Sequence, residues 1–111
     1  MTTSNPILEK NLSPDAEKII SFCKKWKIRE FYFFGSAVTE DFSPEKSDVD
    51  VMLDYAADSG ISLFDLVKMK EELEVLFERK VDLVTKRGVE NARNQTRKKS
   101  ILEGIRIYYH E

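Results

Sequence analysis

Cysteine is almost missing from this chain, with Cys23 the only one. A lone thiol excludes a disulfide framework and a cysteine-built zinc site, and it makes the reducing cytoplasm the expected compartment. Histidine is as scarce: His110, one residue from the C-terminus, reads as solvated and without a role. No run approaches the ~20 consecutive apolar residues that span a bilayer. Residues 1–12 also lack the basic and apolar blocks of a signal peptide, so no membrane partner is expected. Internal repeats and low-complexity linkers are absent too. The formal net charge is only −2, which argues against direct, general binding of nucleic acid.

What is present describes one soluble domain: 111 residues, 41% hydrophobic and 34% charged, enough for one core and too few for two domains. The charge is unevenly spread. Residues 40–58 hold seven acidic side chains against Lys46, and residues 86–99 hold six basic ones against Glu90. The acidic segment suits a metal ion. The basic one suits a polyanion or acidic partner, or is simply a solvated helix face.

The hydrophobic pattern alternates helices and strands. Residues 1–12 read as a loose lead-in to a single domain over 13–111. Ser13 with Pro14 reads as a helix start, followed by an apolar face of Ile19, Ile20, Phe22, Cys23 and Trp26. A buried aromatic strand is expected over 28–34, stopped by Gly35. A short helix follows over 36–42, and 43–47 form a turn. Along 48–55, period-two alternation puts Asp48, Asp50, Met52 and Asp54 on one face and Val49, Val51, Leu53 and Tyr55 on the other. Asp54, farther along, reads as solvated. Ser62 and Asp65 form a capping box, stapled by Ile61 and Leu66. The helix behind it carries Leu63, Leu66, Val67, Leu73, Leu76 and Phe77 at helical spacing. A strand is expected over 81–85, a break at Arg87-Gly88, helix within 89–103, and a last strand over 105–109 holding Tyr108 and Tyr109. The fold class is therefore α/β or α+β, a small mixed sheet of about four strands flanked by helices.

Three aspartates interrupt these strands, although Asp is depleted from strand interiors. Asp48 and Asp50 lie two residues apart, roughly 6.6 Å along a strand, and Asp82 sits in the neighbouring strand. Mg²⁺ takes hard oxygen ligands, commonly one or two carboxylates plus substrate phosphates. Two such ions clamp a displacement at phosphorus. The Gly35-Ser36 turn exposes backbone N–H groups and a hydroxyl that suit phosphate oxygens. Asp82 also has a purely structural alternative, an ion pair with Lys80 or Lys86.

Phe34-Gly35-Ser36, then Ser47-Asp48-Val49-Asp50-Val51-Met52-Leu53, then Arg79-Lys80-Val81-Asp82-Leu83-Val84-Thr85 resembles the minimal nucleotidyltransferase (MNT) family of the DNA polymerase beta superfamily. The likeness runs over residues 28–109. It implies a polymerase beta-like fold, nucleotide binding by Gly35 and Ser36, and catalytic metal binding by Asp48, Asp50 and Asp82. It further implies ATP as substrate, two Mg²⁺ ions, and an antitoxin that transfers AMP to a tyrosine of a partner HEPN-domain toxin. The alternatives are a catalytically silent module that neutralises a toxin by contact, and transfer to an RNA end or a small-molecule hydroxyl. Two departures stand out. The spacer over 37–47 is one residue longer than the family's usual one, and relatives often carry arginine where Thr39 or a neighbour stands.

Overall fold

The computed structural model describes residues 2–3 and 5–111. Four strands, β1 (Glu30–Phe34), β2 (Val49–Asp54), β3 (Val81–Thr85) and β4 (Arg106–His110), form one sheet in the order β3-β2-β1-β4. β2 and β3 run parallel, joined by the helix α3 (Leu63–Phe77), and the other pairings are antiparallel. This is the mixed four-stranded sheet expected from the alternation.

Strand alternation sorts the side chains onto two faces. Phe31, Phe33, Val49, Val51 and Leu53 enter the larger core, beneath α1 (Pro6–Leu12), α2 (Ala16–Trp26) and α3. Phe34 and Met52 point the other way and join Val89 and Ile101 in a smaller core. That second core lies under α4 (Lys86–Glu90) and α5 (Gln95–Gly104). Met52, expected beside the aspartates, is therefore buried rather than wet. Burial pushes the Cys23 thiol up to about 12, which makes it a core group. Tyr108 and Tyr109 are core as well.

Several expected boundaries move. The lead-in becomes helical at Pro6, where the Asn5 side chain accepts from the backbone N–H groups of Ile7 and Leu8. Leu8 anchors this helix in the main core. Ser13 does not start α2. It closes α1 in the left-handed conformation, and Asp15 caps α2 by accepting from Lys18 N–H. The segment after β1 makes only a 3-10 turn, Gly35–Val38. Arg87-Gly88 does not break the chain, because Thr85 Oγ1 accepts the Gly88 N–H at 3.0 Å and starts α4 through it. On α3 the capping box forms as expected. Met69, Leu73 and Phe77 face the core, whereas Leu63 and Val67, counted with the apolar stripe, are 80% and 56% exposed. Phe64 beside them is 82% exposed.

Candidate active site

The site begins at the ends of β1, β2 and β3. Phe34 pairs with Asp50, and Asp50 lies beside Asp82 across the parallel ladder. Side chains of directly paired residues project from the same face of a sheet, so the two carboxylates are neighbours. The chain then turns at Gly35, whose φ of +68° is costly for any residue with a Cβ. Space forbids one too: a Cβ there would lie 2.1 Å from Asp50 Oδ2. The backbone of this turn therefore passes directly over the Asp50 carboxylate.

Gly35, Asp50 and Asp82 line one open cleft of about 470 Å³ with Phe34 and a wall from the start of α5. That wall supplies Asn94, Thr96, Arg97 and Ser100. Asn94 caps α5 by accepting from the Arg97 N–H at 3.0 Å. The Arg97 guanidinium then reaches Asp82 Oδ2 at 3.4 Å. Asp82 thus pairs with Arg97, and not with Lys80 or Lys86. None of the α5 residues was singled out as a site residue. Asn94 was readable as a helix cap, but the basic run gave no way to choose Arg97 from its neighbours.

The two remaining candidates, Asp48 and Ser36, do not line this cleft. Asp48 precedes β2 and is exposed, yet its charge still reaches Asp50. Ser36 is half-buried within the 3-10 turn, whose carbonyl at Ser36 accepts from both the N–H and the hydroxyl of Thr39. Thr39 therefore braces the turn. Within the 37–47 spacer, Ser43 and Ser47 close a turn in which each residue's backbone N–H bonds the other, at the Ser47 hydroxyl and the Ser43 carbonyl. Phe34 and Asp50 pair across its two ends. Asp54, expected to be solvated, is half-buried beside its cross-strand neighbour Glu30. Burial, then the adjoining Glu30 carboxyl, raises its pKa.

Electrostatics mark Asp50 as the strained member. Burial, then the charges of Asp82 and Asp48, push its carboxyl up to about 6, with Arg97 pulling the other way. Like-charged acids crowded in this way favour a proton or a cation between them. Among the described residues no three acidic, His or Cys side chains are already gathered as a cation cage. The donors nevertheless fit a hard divalent ion: they are carboxylate oxygens on adjacent strands, and their mutual repulsion is what such an ion relieves.

Comparison with known proteins identifies the fold and its family. Residues 16–108 match the family model described as a nucleotidyltransferase domain. A Methanocaldococcus jannaschii protein provisionally named a protein adenylyltransferase is 37% identical over 68 residues, 61% of this chain and 66% of that relative. The match thus spans just under two thirds of that relative's length. A solved structure provisionally assigned as a minimal nucleotidyltransferase superposes with a TM-score of 0.64 at 26% identity, covering 94% of this chain and 98% of the other. An MNT antitoxin solved in complex with a tri-AMPylated HEPN toxin of Shewanella oneidensis has the same fold. It gives a TM-score of 0.60 at 21% identity, over 94% of this chain and 73% of that one.

Proposed function

The chain belongs to the nucleotidyltransferase domain family, and from that premise we propose that it transfers AMP from ATP to a hydroxyl of a partner protein. The partner in this reading is a HEPN-domain toxin, the hydroxyl is a tyrosine's, and the outcome is a silenced toxin in the cytoplasm. One observation carries it: Asp50 and Asp82 stand side by side on parallel strands, with the Gly35 turn lying against Asp50. The name of the archaeal relative and the modified toxin in the Shewanella complex support the direction.

Each residue then has a task. The Gly35 turn, free of side chain, admits the triphosphate close to the backbone, and the Ser36 hydroxyl adds a donor. Asp48, Asp50 and Asp82 would hold Mg²⁺, two ions in the full arrangement. Those ions supply charge neutralisation at the reacting phosphate. Asp82, the most solvent-facing carboxylate in the cleft, takes up the proton of the attacking hydroxyl. The acceptor oxygen bonds to the α-phosphorus, the bridge to the β-phosphate breaks, and pyrophosphate leaves. Arg97 lies where it balances charge beside Asp82.

Neutralisation by contact alone is the second reading, favoured by the bare Leu63, Phe64 and Val67 on α3. Incubation with α-labelled ATP, Mg²⁺ and the co-expressed HEPN neighbour separates the two. Label on the partner, lost in Asp48→Asn and Asp50→Asn and on adding EDTA, is the expected result. Neutralisation without label, and unchanged in both variants, would establish the contact reading instead.

A further inference from the structure

The sheet ends at β3 on the side of the catalytic cleft, and that edge is open. Val49 N–H donates to the Lys80 carbonyl at 2.9 Å, which fixes the alternation of the parallel ladder. Backbone groups of Lys80, Asp82 and Val84 face β2, while those of Val81, Leu83 and Thr85 face outward. The outward N–H of Val81 is taken by Glu74 Oε2 at 3.1 Å. Among the described residues no protein group meets the outward N–H and carbonyl of Leu83, or the N–H of Thr85. Edge strands are ordinarily guarded by charged side chains, proline, a bulge or shortness. β3 is short but holds no lysine, proline or bulge, and its one charge, Asp82, lines the catalytic cleft.

A groove of about 460 Å³ follows this edge, lined by Leu66 of α3, by Leu83 and Val84, and by Val89 and Ile101 on the far wall. Arg97 and Ile101 line both the groove and the catalytic cleft, so the two are continuous. At its other end the groove shares Leu66, Thr85 and Gly88 with a hollow of about 290 Å³ beside the exposed Leu63. Arg97 and Lys98 charge the groove wall, which no acidic side chain lines, while the hollow carries Arg87 together with Asp54.

We propose that an extended segment of the partner protein pairs with the free edge of β3 as a fifth strand and so delivers its hydroxyl to Asp82. The proposal rests on the partner-directed reading above, since the acceptor must be a polypeptide. An unpaired strand edge recognises backbone, and adjacent pockets choose side chains. The segment's apolar side chains cover Leu66, Leu83 and Val84, and an acidic side chain faces Lys98 and Arg87. Because strand residues advance roughly 3.3 Å each, pairing at Leu83 fixes which residue of the segment reaches the cleft. Register on β3 thus selects the acceptor.

The test is amide exchange at single-residue resolution on the full chain, alone, with Mg²⁺ and a non-hydrolysable ATP analogue, and with the co-expressed HEPN neighbour without nucleotide. At least tenfold slower exchange at Leu83 and Thr85 with the neighbour alone is expected. Protection by the analogue alone would make the groove a base pocket. Protection that appears only at high concentration of the chain by itself would make the edge a contact between two copies. Either result, or no protection in the complex, overturns the proposal. Protection without label transfer sinks only the catalytic reading, and label transfer without protection sinks only this one. As a second measurement, Leu83→Pro removes an outward N–H while sparing the ladder, and should raise the partner's KM at least tenfold with the KM for ATP unchanged. If Leu83→Pro fails to fold, Arg87→Glu with Lys98→Glu beside the groove should act in the same direction. An unchanged partner KM in a folded variant overturns the proposal.

Discussion

Asp50 is held where an anion is least at ease, half-buried between two other acids. Its raised pKa has a signed consequence for the free chain. Below pH 3.8 the carboxyl is protonated whether folded or not, and between there and about 6 the folded state binds the extra proton. Folding stability contributed by Asp50 therefore falls as pH rises through that window, and stays low above it. Asp50→Asn should stabilise the metal-free protein at pH 7 by about 1 kcal/mol after allowance for solvent screening, a rise of roughly 4 °C in Tm. The same variant should lose label transfer; a lower Tm would refute the crowding. Gly35→Ala tests the opposing surface. The left-handed backbone alone costs about 1–2 kcal/mol, and the new Cβ would meet the Asp50 carboxylate. Transfer should fall at least a hundredfold, with a lower Tm in thermal unfolding. Both residues were readable beforehand, because an aspartate in a strand and a glycine at its end contradict local preference and so advertise a site. Arg97 contradicts nothing locally, and its pairing with a residue 15 positions away exists only once the sheet and α5 are in place.

Helix ends explain which elements the pattern located and which it displaced. The capping box of α3 is local chemistry, with Ser62 Oγ accepting the Asp65 N–H at 3.2 Å and Asp65 Oδ2 accepting the Ser62 N–H at 3.0 Å. Ser62→Ala should cost about 1 kcal/mol in denaturant unfolding, with transfer unchanged. Ser13 looked equally good as a cap, but Asp15 lies closer to the first apolar turn and took the role. Gly88 looked like a break because glycine costs about 1 kcal/mol within a helix. Here the Thr85 hydroxyl accepts the Gly88 N–H and caps α4, a local gain that offsets the glycine's cost. The start of α5 matters most for chemistry. Arg97 lowers the pKa of Asp50, so Arg97→Ala should move the acid limb of the transfer rate to higher pH. A profile that only falls in height, with its limb in place, would show that Arg97 acts elsewhere.

The molecule's two unequal cores leave the Gly35–Val38 turn dependent on a segment remote from it in sequence. The sheet face beneath α4 and α5 is thin, and the Gly35–Val38 turn at its border belongs to neither strand ladder. Support comes from α1, the stretch expected to be a loose lead-in. Leu8 fixes this helix in the main core, and Asn11 Nδ2 then donates to the carbonyls of Ala37 at 3.0 Å and Thr39 at 2.8 Å. Those carbonyls flank the turn's C-terminal end, just past Ser36. Nothing in residues 1–12 announced this, because Asn11 bonds backbone groups 26 and 28 positions away, and only the packed fold brings them near. Asn11→Ala removes both bonds and leaves two carbonyls unpaired, a loss of about 1–3 kcal/mol. Because the loss falls on the turn proposed to take the nucleotide, ATP affinity should weaken several-fold along with Tm, measured by calorimetry with the ATP analogue and by thermal unfolding. Ser13→Ala supplies the comparison on the same helix. It removes only the bond from Ser13 Oγ to the Glu9 carbonyl at 2.8 Å, so it should lower Tm slightly and leave ATP affinity as it was. Equal effects of the two variants on ATP affinity would mean that α1 contributes general stability and does not brace the turn.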